Sequence, residues 1–378
     1  MAERKLRVFV NGLGVMGRDF IRVIEEYGTK NMEIVGGNDT HPGFTPENLA
    51  NGLNFDTVYR NFRGFVVGID KPPISHSDEV LEYKDGSKSI GLIQFKTDGL
   101  ERVIAIFKET NPERIPYREL EVDIVYDCTG HYLSRTLAQR HIDAGAKLVH
   151  LSGPPSDTSI IPIVIAVNDN QVDYDKDKIY SGGSCTTTAL ATKVKALHGE
   201  FGVKRGLMLT HHSYTNDQET QDGWSRFPER SRAAAESYKY SSTGAARMVG
   251  IVIPELRGKI DGKAIRATHF AVSALDFIAE YEKQPSIKDV NDFLTMVASG
   301  SNGQYREFFR RLGITDQVVT SSDLIGNPLS VLVELRATNF TDEGKMVGTS
   351  GHYDNVRMFT MRQKEFMKNH TYPYINSK

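Results

Sequence analysis

Apolar positions recur along this chain with two periods. Leu6 to Val10 is a short apolar run. Phe20, Ile21, Val23, Ile24 and Tyr27 then fall on one face of a helix. Gly28 is the expected helix stop. A second run, Glu33 to Gly37, reads as a strand. The alternation returns further on, with a strand at Val122–Tyr126, a helix through Leu137, Ala138 and Ile142, and a strand at Lys147–Leu151. Strands alternating with helices predict a parallel sheet. The stretch from Val67 to Tyr117 is polar and charged, with weak alternation from Ile90 to Phe95, and predicts hairpin and loop excursions from that sheet. Leu190, Val194, Leu197 and Phe201 form one helical stripe, Gly206–Thr210 a strand, and Phe359, Met361 and Phe366 a C-terminal helix.

The turn after the first strand carries chemistry. Asn11-Gly12-Leu13-Gly14-Val15-Met16-Gly17 places three glycines between a strand and a helix. That context lets backbone approach a pyrophosphate at a helix N-terminus. Val15 and Met16 belong to the same loop. Asp39, about 20 residues beyond the last glycine, is placed to hold the adenosine ribose hydroxyls. Thr129, Gly130 and Ser152 follow later strand ends, where a doubly wound sheet binds its ligand. The first half is therefore expected to be a Rossmann-type dinucleotide-binding domain.

Composition narrows the class. A chain of 378 residues suits two domains and needs no disulfide or metal for stability. Hydrophobic residues make up 39 % and charged ones 25 %, as in ordinary globular proteins. The net charge is −2 and no long basic run occurs, so no nucleic-acid partner is expected. No apolar stretch has transmembrane length, and a strand begins almost at once, so neither a membrane partner nor a signal peptide is expected. Two cysteines, Cys128 and Cys185, without a Cys-x-x-Cys pattern, argue for a reducing cytoplasm and no metal site. Cys128, at a strand end among apolar residues, is expected to be a small buried thiol.

Cys185 differs, because it follows Ser184 at the expected start of the helix. Ser184 is a suitable N-cap, and a helix N-terminus favours a thiolate. A lowered pKa and a nucleophilic role are expected. His211 and His212 end the following strand and face opposite ways, so at most one reaches a given site.

The motifs together resemble the glyceraldehyde-3-phosphate dehydrogenase family over nearly the whole chain. Ser184-Cys185-Thr186-Thr187, His212-Ser213-Tyr214-Thr215-Asn216-Asp217-Gln218, Ser242-Thr243-Gly244-Ala245-Ala246 and Tyr353-Asp354-Asn355 occur in that family's order and near its spacing. The glycine loop, Val252–Leu256 and Gly258-Lys259 also fit. The resemblance implies an α/β fold: a Rossmann-type doubly wound parallel sheet over 1–184, an α+β catalytic domain with a large mixed sheet over 185–351, and a C-terminal helix, 352–378, returning to the first domain. It implies Cys185 as nucleophile and His212 as general base, with His211 structural or exposed. It implies Ser184, Thr186, Thr243 and Gly244 around inorganic phosphate with Arg230 nearby, Thr215 and Arg266 on the substrate phosphate, and Asn355 on the nicotinamide carboxamide.

The implied activity is oxidation of glyceraldehyde 3-phosphate with NAD and inorganic phosphate by a cytoplasmic homotetramer. Alternatives within the resemblance are another phosphorylated aldehyde such as erythrose 4-phosphate, another acyl acceptor such as arsenate, or a non-catalytic binding paralogue. Departures centre on the cofactor. Val15 replaces a family arginine beside the pyrophosphate. Val356-Arg357-Met358 replaces the usual Glu-aromatic-Gly after Asn355. Thr268-His269 replaces a proline-containing turn. Asp222-Gly223-Trp224-Ser225 replaces a Leu-Pro that marks many NAD-using members, and Trp224 is expected at an interface or over a ligand. Asp39 favours NAD, with NADP as the alternative.

Overall fold

The computed structural model describes residues 4–27, 30–97, 100–225, 227–341 and 346–378. Gly28, the expected helix stop, lies outside them. The chain forms two compact units. The first comprises Met1–Ile163, Gln171–Gly183 and Thr360–Lys378; the second comprises Val164–Asn170 and Ser184–Phe359.

The first unit is built on an eight-stranded sheet of β1 (Leu6–Asn11), β2 (Met32–Asn38), β3 (Ile74–Ser77), β4 (Gly91–Thr97), β5 (Leu100–Phe107), β6 (Ile124–Asp127), β7 (Leu148–Leu151) and β8 (Ile179–Ser181). Its order is β3-β4-β5-β2-β1-β6-β7-β8. The chain winds outward from β1 in both directions, which is the Rossmann-type doubly wound order. Leu6, Val8, Phe9 and Val10 are all fully buried. This explains why β1 reads as an apolar run broken only by Arg7: a parallel strand is covered on both faces. Helices α1 (Val15–Tyr27), α2 (Pro46–Asn54) and α3 (Arg135–Ala144) belong to this unit.

The excursion expected at Val67–Tyr117 is instead part of the sheet. β5 pairs parallel with β2, Gly36 opposite Ala105, and β4 and β3 extend that edge in antiparallel fashion. Ile104 to Phe107 of β5 and Leu92, Ile93 and Phe95 of β4 are buried, but these apolar runs are short and lie among polar and charged residues, which hid them. The C-terminal segment from Thr360 onward also packs in this unit. Thr360 Oγ1 donates to Asp19 Oδ2 at 2.6 Å, and Gln363 Oε1 meets His150 Nε2 at 2.5 Å.

The second unit carries a mixed, largely antiparallel sheet. In chain order its main helix and strands are α4 (Cys185–Phe201), β9 (Val203–Ser213), β10 (Lys239–Ser242), α5 (Ala245–Val252), β11 (Ile260–Ala267), β12 (Val272–Tyr281), α6 (Ile287–Ser299), β13 (Leu312–Thr315), β14 (Val331–Glu334), β15 (Asn339–Phe340) and β16 (Met346–Asp354). The strand order is β10-β11-β9-β12-β16-β14-β13, with β15 on β16. α7 (Arg357–Phe366), a π turn and α8 (Tyr372–Ser377) end the chain. α4 packs beneath β9, β12, β14 and β16. Leu190, Val194, Leu197 and Phe201, the expected stripe, are all buried. Along β9, Met208, Thr210 and His212 are buried while Leu207 is 60 % exposed, so the sheet has one covered and one open face.

No helix among the described residues is long and apolar enough to cross a membrane. No group of three or more metal-ligating side chains stands in place for a metal ion among them.

Candidate active site and dinucleotide cradle

Ser184 starts α4 as its N-cap, its Oγ accepting from the Thr187 N–H at 3.1 Å. Cys185 is the first helical residue. Its Sγ lies 3.4 Å from Nε2 of His212, which projects from the covered face of β9. Nδ1 of His212 lies 2.6 Å from the Ser213 carbonyl oxygen. A carbonyl only accepts, so Nδ1 carries the proton and Nε2 presents its lone pair to the thiol. Burial, and then the Arg266 guanidinium, push His212 down to about 4, so the ring is neutral near pH 7.

The thiolate expected from helix position alone is not what the site favours at rest. Burial pushes the Cys185 thiol up, against hydrogen bonds from Thr186 and the charge of Arg266. Desolvation outweighs the helix N-terminus here. The thiol is therefore placed to lose its proton to His212 rather than to be free of it beforehand.

Arg266 stands opposite His212 in the β11–β9 register. One of its terminal nitrogens is 3.1 Å from His212 Nδ1 and 3.3 Å from Thr215 Oγ1. Thr215 in turn donates to Asp217, and Asp217 pairs with Arg230. The Nε atoms of Arg230 and Arg266 are both buried without a hydrogen-bond partner. Each guanidinium is held down by burial, and Arg230 also by the charge of Arg266. Two desolvated cations with idle donors favour an anion.

Other expected residues are engaged differently. Thr186 Oγ1 bonds Tyr353 Oη at 2.8 Å, and Tyr353 Oη also meets Thr210 Oγ1 at 3.0 Å. Ser184 Oγ lies 2.8 Å from Thr187 Oγ1. Thr243 accepts from the Ala245 N–H at 3.2 Å, and Gly244 caps α5, which packs on α4. Asn355, just past β16, is buried, and its Oδ1 has no partner. The bridging role of Tyr353 was hidden in the sequence, since no spacing rule connects residues 186, 210 and 353.

In the first unit, Asn11, Asn38 and Asp127 end adjacent strands in register. Asn38 Nδ2 donates to Asn11 Oδ1 at 2.8 Å, and Asn11 Nδ2 to Asp127 Oδ2 at 2.7 Å. Burial raises Asp127 to about 6. A cavity of about 510 Å³ opens there, bounded by Gly12, Gly14, Asp39 and Thr129 among others. Gly12 has φ +90, and a Cβ on it would stand 2.7 Å from the Thr129 nitrogen. A Cβ on Gly17 would stand 2.0 Å from Gly12 O, while one on Gly14 would meet open space. These are the separate demands of a tight turn, close helix packing and free approach to a pyrophosphate. Both Asp39 oxygens accept backbone N–H groups, from Leu13 at 2.7 Å and His41 at 2.8 Å, so the acid is locked against the glycine loop. The residues present fit a dinucleotide.

Val15 is 37 % exposed at the first turn of α1, followed by Met16. Gly130 has φ +69 just past β6, and Ser152 N donates to Asp127 O at 2.8 Å just past β7. Cys128, expected to be buried, lines the cavity and is partly exposed. Desolvation and the Asp127 carboxylate raise its thiol. His41, Glu109, Thr110, His131 and Tyr132 complete the wall. They are scattered in sequence and gave no signal. Trp224 is 99 % exposed, outside any core.

Residues 184–355 match the family model described as Glyceraldehyde 3-phosphate dehydrogenase, C-terminal domain. The chain is 35 % identical over 350 residues to glyceraldehyde-3-phosphate dehydrogenase 2 of Streptomyces avermitilis, covering 93 % of this chain and 94 % of that protein. The chain belongs to the glyceraldehyde-3-phosphate dehydrogenase family. It is also 35 % identical over 358 residues to the glyceraldehyde-3-phosphate dehydrogenase of Priestia megaterium, covering 94 % of this chain and 96 % of that one. With the enzyme of Mycolicibacterium smegmatis it shares 36 % over 355 residues, covering 93 % and 94 %. Family membership gives the paired cysteine and histidine, the idle arginine donors and the glycine cradle a common context.

Proposed function

We propose that this protein oxidises glyceraldehyde 3-phosphate with NAD and inorganic phosphate to 1,3-bisphosphoglycerate. The observation that carries the reading is Cys185 Sγ at 3.4 Å from an Nε2 lone pair, beside the idle donors of Arg266 and Arg230. Family relatives bearing the name glyceraldehyde-3-phosphate dehydrogenase support it.

Sγ attacks the aldehyde carbon while the thiol proton passes through His212 Nε2 to the aldehyde oxygen, giving a thiohemiacetal. Nε2 next takes the hydroxyl proton as the C–H electron pair leaves with its hydrogen, giving a thioester and an imidazolium. A bound nicotinamide dinucleotide supplies the hydride acceptor. Phosphate oxygen attacks the thioester carbon, the C–S bond breaks, and the acyl phosphate departs. The cysteine sulfur regains its proton from His212. Thr215 and Arg266 hold the substrate phosphate; Arg230, Thr243 and Gly244 hold the attacking phosphate, with the α4 start formed by Ser184 and Thr186.

In the dinucleotide cradle, Gly12, Gly14, Val15, Met16 and Gly17 would hold the pyrophosphate. Asp39 takes the adenosine ribose, and its charge repels a 2′-phosphate, favouring NAD over NADP. Thr129, Gly130 and Ser152 line the strand ends. The unpaired Oδ1 of Asn355 suits an amide donor such as the nicotinamide carboxamide. A cytoplasmic homotetramer completes the reading.

Steady-state assays with a panel of phosphorylated aldehydes, each with and without phosphate or arsenate and with either dinucleotide, test it. The expected result is phosphate-dependent reduction of NAD with glyceraldehyde 3-phosphate as best substrate. Turnover indifferent to phosphate, or higher efficiency with NADP, overturns the corresponding part.

A further inference from the structure

Three histidines meet on the open face of the second sheet. His211 of β9 and His352 of β16 both stand opposite Ala274 of β12, so their side chains share one face, with only a methyl group between them. His269, in the turn from β11 to β12, has these two rings as neighbours. Glu334 of β14 engages Nε2 of His352. Nδ1 of His352 and Nε2 of His269 are buried without hydrogen-bond partners.

The turn that holds His269 also carries backbone of the candidate anion pocket. Arg266 leads directly into it. The His269 carbonyl accepts from the Tyr214 N–H at 3.3 Å, and the rings of Tyr214 and Phe270 lie 5.2 Å apart. Tyr214 precedes Thr215, whose hydroxyl meets Arg266. The Ala271 carbonyl accepts from the Asn355 N–H at 3.0 Å. Thr215, Arg266 and Asn355 thus all hang from residues 266–271.

We propose that His269 is a positioning residue for the Thr215–Arg266 pocket, holding the turn in place while its ring is neutral and releasing it when the ring takes a proton. The proposal rests on reading that pocket as the substrate-phosphate site. A proton on Nε2 creates a buried donor with no acceptor. Burial lowers the affinity of His269 for a proton and outweighs the opposing backbone hydrogen bond at Val272. The ordered turn is therefore fully favoured above the ordinary histidine pKa of about 6.5 and loses stability as the pH falls below it. Glu334 is the carboxylate at the cluster and is taken up by His352. His212 also feels His269, but it is already down at about 4 and stays neutral through this range.

Sulfate, whose charge is constant across the range, is the probe. Its protection of Cys185 against 2,2′-dithiodipyridine is measured from about pH 7.5 to about pH 5.5, with the labelled peptide identified by mass spectrometry to separate Cys185 from Cys128. In the unaltered protein the half-protecting sulfate concentration should rise about fivefold or more as the pH falls. In His269→Gln, and in His269→Asn as a second variant, it should change less than about twofold. The same pH dependence in the His269 variants overturns the proposal. So does tighter sulfate binding in acid, which a bare charge effect would give. Absence of protection at every pH refutes the anion-pocket reading itself, and the proposal falls with it.

Discussion

Nδ1 of His212 donates to the carbonyl of Ser213 across 2.6 Å, and this bond decides which nitrogen faces Cys185. With Nδ1 protonated in this bond, the basic Nε2 lies toward the thiol. His212→Asn should therefore lower kcat by about 10²–10⁴, the usual worth of a general base. Alkylation of Cys185 by iodoacetamide should slow in parallel, while the melting temperature stays within a few degrees. Unchanged turnover would remove His212 from the proposed mechanism.

Tyr353 should matter through its hydroxyl alone. Its Oη joins Thr186, beside the nucleophile, to Thr210, two residues before the base. Tyr353→Phe keeps the ring and removes both bonds. A stability loss of about 1 kcal/mol is expected. A fall in kcat with little change in KM for the aldehyde should accompany it. If KM alone moves, the hydroxyl serves binding rather than alignment.

Lys193 is fully buried in α4, donating to the carbonyls of Leu275 at 3.2 Å and Thr349 at 2.9 Å. Burial pushes it down to about 7. Its folded value lies below its unfolded one, so it costs stability in neutral and acid solution, and that cost is relieved as the pH rises from about 7 to about 10. Lys193→Met should fold at least as stably near neutrality, since replacing buried charge by apolar volume is often neutral or stabilising by about 1–4 kcal/mol. Urea titrations at several pH values check both points. A variant that keeps the alkaline gain in stability contradicts the assignment.

Acid should destabilise the protein through buried neutral histidines. Burial lowers His141 to about 3, His150 to about 4 and His212 to about 4. Each lies below its unfolded value, so its contribution is present above about pH 6.5 and is lost as the pH falls toward the folded value, at up to about 1.4 kcal/mol per pH unit. Asp127, raised to about 6, runs the opposite way and offsets one of the three. Denaturation midpoints measured between about pH 7 and pH 4.5 should fall steadily. A flat profile would mean that these rings are not buried neutral.

Asp39→Asn keeps a side-chain acceptor but removes the charge next to the expected ribose. KM for NAD should rise about tenfold and the preference over NADP should narrow, since nothing then repels a 2′-phosphate. Steady-state kinetics with both dinucleotides decide it.

Much of this arrangement was legible in the sequence because it is local. The glycine loop, the Ser184 cap and the stripe of α4 depend on residues within a few turns of each other, and periodicity reports them. The β3–β5 region is harder to read because its buried apolar runs, Leu92-Ile93 and Ile104 to Phe107, are short and sit in a polar and charged stretch. The state of Cys185 was misread for a different reason. A helix N-terminus is visible in sequence, but the desolvation that opposes it comes from residues that arrive from β9, β11 and β16.

By itself, then, the sequence determined the two kinds of fold unit, the glycine loop and the helix start that carries Cys185. Tertiary structure alone decided which His212 nitrogen faces Cys185, how two guanidinium groups are left with idle donors, and that Tyr353 bridges 186 to 210. These depend on strand register and on burial. Register is set by pairing between distant segments, and burial by everything packed around a group, so neither can be read from neighbours along the chain.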